Sequence, residues 1–220
     1  MDTSDLFNGT VEFSNNSGSV YGYSGDLQFN GSMIFGYNSA MNSGENEGGA
    51  ITAFHAYIQF DDGSFLFSSN TAENGGAIHL TRSNMFVRKS KIHMANNTAA
   101  NTGGGIYLFK MNYMQCMRIC VMIIMSNKVT GKGRGIHGIG STVSIYERSL
   151  LNFTDNTARK GGGLCLEVDS ALYILYQNSI LKSPLSTEVI FTKNSAMFGG
   201  AINYVSDSTY FGTCDNKDLE

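Results

Sequence analysis

A four-residue pattern, an apolar residue followed by two spacers and asparagine, recurs seven times along the chain. The copies are Phe13–Asn16, Phe35–Asn38, Phe67–Asn70, Met94–Asn97, Ile124–Asn127, Phe153–Asn156 and Phe191–Asn194. Glycine-rich strand starts follow most of them: Gly48-Gly49-Ala50-Ile51, Gly75-Gly76-Ala77-Ile78, Gly103-Gly104-Gly105-Ile106, Gly161-Gly162-Gly163-Leu164 and Gly199-Gly200-Ala201-Ile202. A worn copy, Gly133-Arg134-Gly135-Ile136, fills the remaining interval. A repeat of this period describes coils that bury their apolar faces only against one another. The asparagines stand 22, 32, 27, 30, 29 and 38 residues apart, too far for a hexapeptide solenoid and too irregular for helical repeats. They suit three short strands per coil, with corner loops of varying length. The expected fold is all-β, a right-handed parallel β-helix of about six to seven coils. At about 4.8 Å per rung, seven coils make a rod of roughly 34 Å.

Alternation assigns the faces. Two residues before each motif apolar lies another: Val11, Met33, Phe65, Ile92, Met122, Leu151 and Val189. This apolar/any/apolar pattern is that of a strand with one face in a core. It places Phe13, Phe35, Phe67, Met94, Ile124, Phe153 and Phe191 in one inward stack. After the glycines, Ile51, Ile78, Ile106, Ile136, Leu164 and Ile202 point inward. Thr52, His79, Tyr107, His137, Cys165 and Asn203 alternate with inward residues and face out. A third strand fits Tyr57–Phe60, Met85–Arg88, Val143–Tyr146 and Leu172–Leu175. At an identical turn in every coil, Asn16, Asn38, Asn70, Asn97, Asn127, Asn156 and Asn194 can bond to backbone and to one another as a ladder. The glycine pairs supply positive φ or close approach between coils.

Composition narrows the function classes. With formal net charge −3 and 15% charged residues over 220 positions, nothing electrostatic favours a nucleic-acid partner. Cys116, Cys120, Cys165 and Cys214 are too scattered for a disulfide framework, and an extended strand would hold Cys116 and Cys120 too far apart to bridge. The chain opens on polar Met1-Asp2-Thr3-Ser4-Asp5, without a visible signal peptide. Tyr113 to Met125 is apolar but too short to cross a bilayer, and Lys110 to Met125 reads as an irregular coil. Asn8, Asn15, Asn30, Asn96 and Asn152 begin Asn-x-Ser/Thr sequons, which an Asn- and Ser-rich chain also produces by chance. The repeat divides the chain into an incomplete N-terminal edge (1–12), a β-helix domain (13–205) and a polar, truncated C-terminal segment (206–220). Continuation into further coils or a separate anchor is expected.

The pairing of Phe-x-x-Asn with Gly-Gly-Ala-Ile, complete at Phe35/Gly48, Phe67/Gly75 and Phe191/Gly199, resembles the repeats of the polymorphic outer membrane proteins of chlamydiae. These fall within the pectin-lyase-like β-helix superfamily. The resemblance covers Phe13 to Ile202 and implies a non-enzymatic scaffold for adhesion, with a cell-surface protein or glycan as partner. It implies an extracellular or cell-surface location, the outer membrane in a bacterium. Alternating segments that would form a translocator barrel are not visible.

The same superfamily includes polysaccharide-active enzymes, the alternative reading. Asp61-Asp62 and Gly135-Ile136-His137-Gly138 loosely resemble the acidic pairs and Gly-His-Gly segments of polygalacturonases, which need paired carboxylates. They lie more than two repeats apart, and Asp61-Asp62-Gly63 reads as a turn. A lyase would want a calcium-binding acidic cluster, whereas the acidic residues here are scattered. His79, Tyr107 and His137 form one outward column that can serve as a glycan-binding or metal-binding strip or be a solvated or loop-covered face. Gly131-Lys132-Gly133-Arg134-Gly135 lacks the ending of a phosphate loop. No catalytic, cofactor-binding or metal residue is assigned from sequence. The two longest loops, Ala40 to Glu47 and Gln177 to Thr187 with Pro184, are candidate binding surfaces.

Overall fold

The structure is a computed structural model that describes residues 3–41, 48–110, 112–175, 187–205 and 211–214. Three sheets, paired in parallel throughout, wrap one core, making the chain an all-β parallel solenoid. The seven-stranded sheet holds the strands that follow the glycine pairs, among them Ile51–Phe54, Ile78–Thr81, Ile106–Phe109, Ile136–Ile139, Leu164–Glu167 and Ile202–Val205. The twelve-stranded sheet holds strands leading to the ladder asparagines, such as Lys91–Ala95, Val121–Met125 and Leu150–Thr154. It also holds Asn84–Arg88, Thr142–Tyr146 and Ala171–Leu175, which coincide within a residue with the third-strand expectation. This sheet forks at the long strand Tyr57–Ser68. Tyr57–Asp61 pairs with Asn84–Arg88, while Ser64–Ser68 pairs with Lys91–Ala95. The three expected strands per coil are joined by short polar ones after the asparagines, such as Thr71–Asn74 and Thr98–Thr102, in a five-stranded sheet.

Register brings like residues together. Phe35, Phe67, Met94, Ile124, Phe153 and Phe191 are successive Cα partners. Phe35 and Phe67 stack with ring centroids 4.6 Å apart and planes 2° from parallel, and Phe153 and Phe191 stack at 4.9 Å. Each fully buried member of this column contributes about 1.5–3 kcal/mol by leaving water.

Each ladder asparagine is preceded by a residue in the left-handed region: Asn15, Tyr37, Ser69, Asn96, Ser126, Asp155 and Lys193 have φ between 51° and 57°. That conformation costs a non-glycine residue roughly 1–2 kcal/mol. Hydrogen bonds offset it. Asn38 Nδ2 donates to Asn70 Oδ1 (3.0 Å), Asn70 Nδ2 to Asn97 Oδ1 (2.9 Å) and Asn97 Nδ2 to Asn127 Oδ1 (3.0 Å). The series runs from Asn16, bonded to Asn38, to Asn194, bonded to Asn156. A second corner carries a ladder the sequence reading did not list. Ser83 N donates to Asn112 Oδ1, Asn112 Nδ2 to Ser141 Oγ, and Ser141 N to Ser170 Oγ. At the glycine pair, Gly103 has φ +61°, and a Cβ on Gly104 would meet Arg134 O at 2.6 Å. Both predicted uses of the pair occur, one on each glycine.

Two expectations need correction. Cys116 and Cys120 form a disulfide, with Cα atoms 5.4 Å apart. The chain between them is not extended: Arg118 and Ile119 both adopt positive φ, 56° and 66°, and fold it back at a corner. Lys110 to Met125 is not irregular, because Tyr113–Met117 and Val121–Met125 pair in register with neighbours on both sides. Of the two alternatives for the outward face, the covered one holds: Thr52, His79, His137 and Cys165 are buried. The glycine turn entering each strand lies over them, so a Cβ on Gly133 would come within 2.7 Å of His137 Cβ, and one on Gly161 within 2.8 Å of Cys165 Cβ. Of the two long loops, residues 42–47 and 177–186 lie outside the described residues.

Candidate functional site

The side of the seven-stranded sheet away from the Ile78/Ile106 column gathers the chain's unusual polar side chains. Thr52, His79, Tyr107, His137, Cys165 and Asn203 are successive register partners, one per rung. His79 and Tyr107 have ring centroids 5.1 Å apart, and Tyr107 and His137 are 5.4 Å apart with planes 30° from parallel. From Thr52 the column therefore runs from hydroxyl through neighbouring rings to a thiol and then an amide.

At the lower end the chemistry concentrates. Glu167 lies two residues beyond Cys165 on the same strand, so both side chains fall on one face. Ligand-capable atoms of His137, Cys165 and Glu167 all lie within 4.8 Å of one another, and all three residues are buried. Glu167 Oε2 accepts from Lys132 Nζ at 2.7 Å and from His137 Nε2 at 3.3 Å. Lys132 comes from the glycine turn one coil earlier. His137 Nδ1 is buried without a hydrogen-bond partner. Asn203 Nδ2 stands 3.5 Å from Cys165 Sγ.

Electrostatics follow from this packing. The His137 hydrogen bond, opposed by burial and reinforced by Lys132, holds the Glu167 carboxyl down to about 2. Burial pushes the Cys165 thiol up to about 11, aided by Glu167, with Asn203, Lys132 and Lys160 pulling the other way. Burial, aided by Glu167, raises the Tyr107 phenol to about 12. At neutral pH Glu167 is therefore a carboxylate and Cys165 a protonated thiol. A fully buried thiol is not a reactive nucleophile.

The residue pair considered for hydrolysis is not brought together. Asp61 lies on the twelve-stranded sheet and His137 on the seven-stranded one. Asp61 accepts from Arg88 Nε at 2.7 Å, and Asp62 lies 3.6 Å from Lys89. Each carboxylate already faces a cation. Sequence reasoning placed His137 and Cys165 in one column but missed Glu167 and Lys132. Glu167 alternates with Cys165 on the strand, which was a usable signal. Lys132 sits in a turn whose fold-over onto the sheet no periodicity reports.

Near the first coils a groove of about 640 Å³ is lined by Ser4, Ser24, Asp26, His55, Tyr57 and Gln59. Tyr57 is half exposed and stacks on Phe86 at 6.3 Å, while Tyr23 meets His55 edge-on at 6.1 Å. The Tyr57 and His55 rings thus stand beside the Ser4, Ser24, Asp26 and Gln59 side chains in this groove.

Among the described residues, no helix is long and apolar enough to cross a membrane, which does not bear on β-barrels. Residues 64–81, spanning the Phe67–Asn70 and Gly75–Ile78 motifs, match the model of the Chlamydia polymorphic membrane protein repeat. The resemblance read from those motifs thus has independent support, on one repeat of the chain. No curated protein and no solved structure matches the chain.

Proposed function

We propose that, carrying a repeat of the polymorphic membrane protein type, this chain is a non-enzymatic scaffold segment of a cell-surface or secreted protein. It holds surface features at fixed spacing for adhesion through glycan or protein binding. The observation that carries the reading is where the repeated residues go. The seven asparagines and the phenylalanine column are consumed by stacking and corner bonding, and the candidate catalytic carboxylates are paired with Arg88 and Lys89. A rigid rod with variable corners is the form that binding loops and grooves exploit. The Cys116–Cys120 disulfide supports an oxidising, extracytoplasmic compartment.

Within this reading the Tyr57/Asp26/Gln59 groove is the binding surface. Saturable binding of the purified chain to cells or to an immobilised glycan panel, reduced at least tenfold by Tyr57→Ala with Asp26→Ala, is the expected result. Binding unchanged in that double variant removes the groove from the account. Depolymerisation of an acidic polysaccharide, abolished by Asp61→Asn, would instead establish the enzyme of the same fold.

A further inference from the structure

We propose that His137, Cys165 and Glu167 form a three-ligand site for a divalent transition-metal ion of zinc's size and softness. The donor set is one imidazole nitrogen, one thiolate sulfur and one carboxylate oxygen. Sulfur and imidazole disfavour calcium and magnesium, which take oxygen ligands, and suit zinc or cobalt. All three residues are zinc ligands in four-coordinate sites, and three protein ligands leave the fourth position to water.

Geometry supports the set. Two N/O ligands about 2.05 Å from a tetrahedral ion stand about 3.3 Å apart, and sulfur at about 2.3 Å stands about 3.6 Å from either. His137 Nε2 and Glu167 Oε2 are already 3.3 Å apart, and one ligand-capable atom from each of the three residues lies within 4.8 Å of the others. Register supplies the framework, since His137 and Cys165 are direct partners on adjacent strands.

A lysine–glutamate ion pair alone explains only part of the cluster. Lys132 satisfies Glu167, but it leaves His137, at 1% exposure, with its Nε2 in a contact longer than a good N–H···O bond. It also leaves a thiol buried beside a carboxylate. An ion between the three displaces only the weak imidazole–carboxylate contact. Glu167 Oε2 has lone pairs for both the ion and Lys132, so Lys132 stays as an outer partner orienting the carboxylate. Asn203 Nδ2 is placed to donate to the thiolate once its proton leaves. The Lys132 side chain is 38% exposed, and the route past it is the way in from solvent. Bound there, the ion pins strand Ile136–Ile139 to strand Leu164–Glu167, tying two coils together.

The test is titration of the tag-free full-length chain with Co²⁺, followed by Zn²⁺ competition. Saturation at one ion per chain is expected, with visible bands of four-coordinate cobalt and a near-ultraviolet thiolate-to-cobalt charge-transfer band, both erased by Zn²⁺. Cys165→Ser and His137→Asn should weaken binding more than about 100-fold, beyond the 10–100-fold typical of losing an outer-shell partner. Lys132→Met should stay within that smaller range, and Cys214→Ser should match the native chain. Native protein without the charge-transfer band overturns the proposal, as does a band retained in Cys165→Ser. Should a variant prove unfolded by circular dichroism, the native spectrum decides alone, because the charge-transfer band reports sulfur ligation directly.

Discussion

Replacing Asn97 by alanine probes the corner ladder where it is most enclosed. Asn97 is fully buried. Its Oδ1 accepts from Asn70 N at 3.0 Å and from Asn70 Nδ2 at 2.9 Å. Its Nδ2 donates to Phe67 O and to Asn127 Oδ1, each at 3.0 Å. Alanine removes all four bonds and leaves the Asn70 N–H without its acceptor in a dry corner. An orphaned buried donor costs about 1–3 kcal/mol and each other lost bond about 1, so the total is about 4–6 kcal/mol. The left-handed residue Asn96 also loses its brace. Asn16 is exposed and makes the same type of contact only toward Asn38, so Asn16→Ala should cost about 1 kcal/mol or less. Urea unfolding followed by far-ultraviolet circular dichroism measures both. An Asn97→Ala cost below about 1 kcal/mol, or equal to that of Asn16→Ala, refutes the claim that the ladder braces the coils.

Phe67→Ala should destabilise by about 3–5 kcal/mol, since the ring is fully buried and stacks on Phe35 at 4.6 Å; the same denaturant series reads it. Reducing the Cys116–Cys120 bridge, which closes a loop of only a few residues, should cost about 2 kcal/mol on the chain-entropy model. Without reductant or denaturant, mass spectrometry after alkylation should find Cys165 unmodified, because it is fully buried. The Glu167 carboxyl titrates near 2 in the folded chain against an ordinary value of 4.5. Its stabilising contribution should be complete above about pH 4.5 and fade as pH falls toward 2. Thermal melts across that window should show a shallower decline for Glu167→Gln than for the native chain.

Most of the scaffold was legible because a solenoid repeats its physics. Wherever a corner needs an asparagine or a core rung needs an aromatic, the chain shows it at each turn, and Phe35, Phe67 and Phe153 announce their column. The parts that the pattern does not mark are short, polar or locally determined. The strand Thr71–Asn74 is short and mostly polar, so alternation does not mark it. The disulfide was dismissed because an extended spacing was assumed, whereas two left-handed residues, Arg118 and Ile119, bring the thiols together. Of the metal-ligand cluster, the His137–Cys165 column was readable from register. The arrival of Lys132 over Glu167 depends on a turn folding back onto its sheet, which only coordinates reveal. Burial of the outward column had the same cause.

Whether equivalent rungs sit one above another can be measured directly with spin labels at Ser64 and Glu188, both exposed. They are linked through Lys91, Val121 and Leu150 by four successive register steps. At about 4.8 Å per step, double electron–electron resonance should return one narrow distance distribution whose backbone separation is about 19 Å. A broad distribution, or a separation beyond roughly twice that four-rung distance, would contradict a continuous parallel coil.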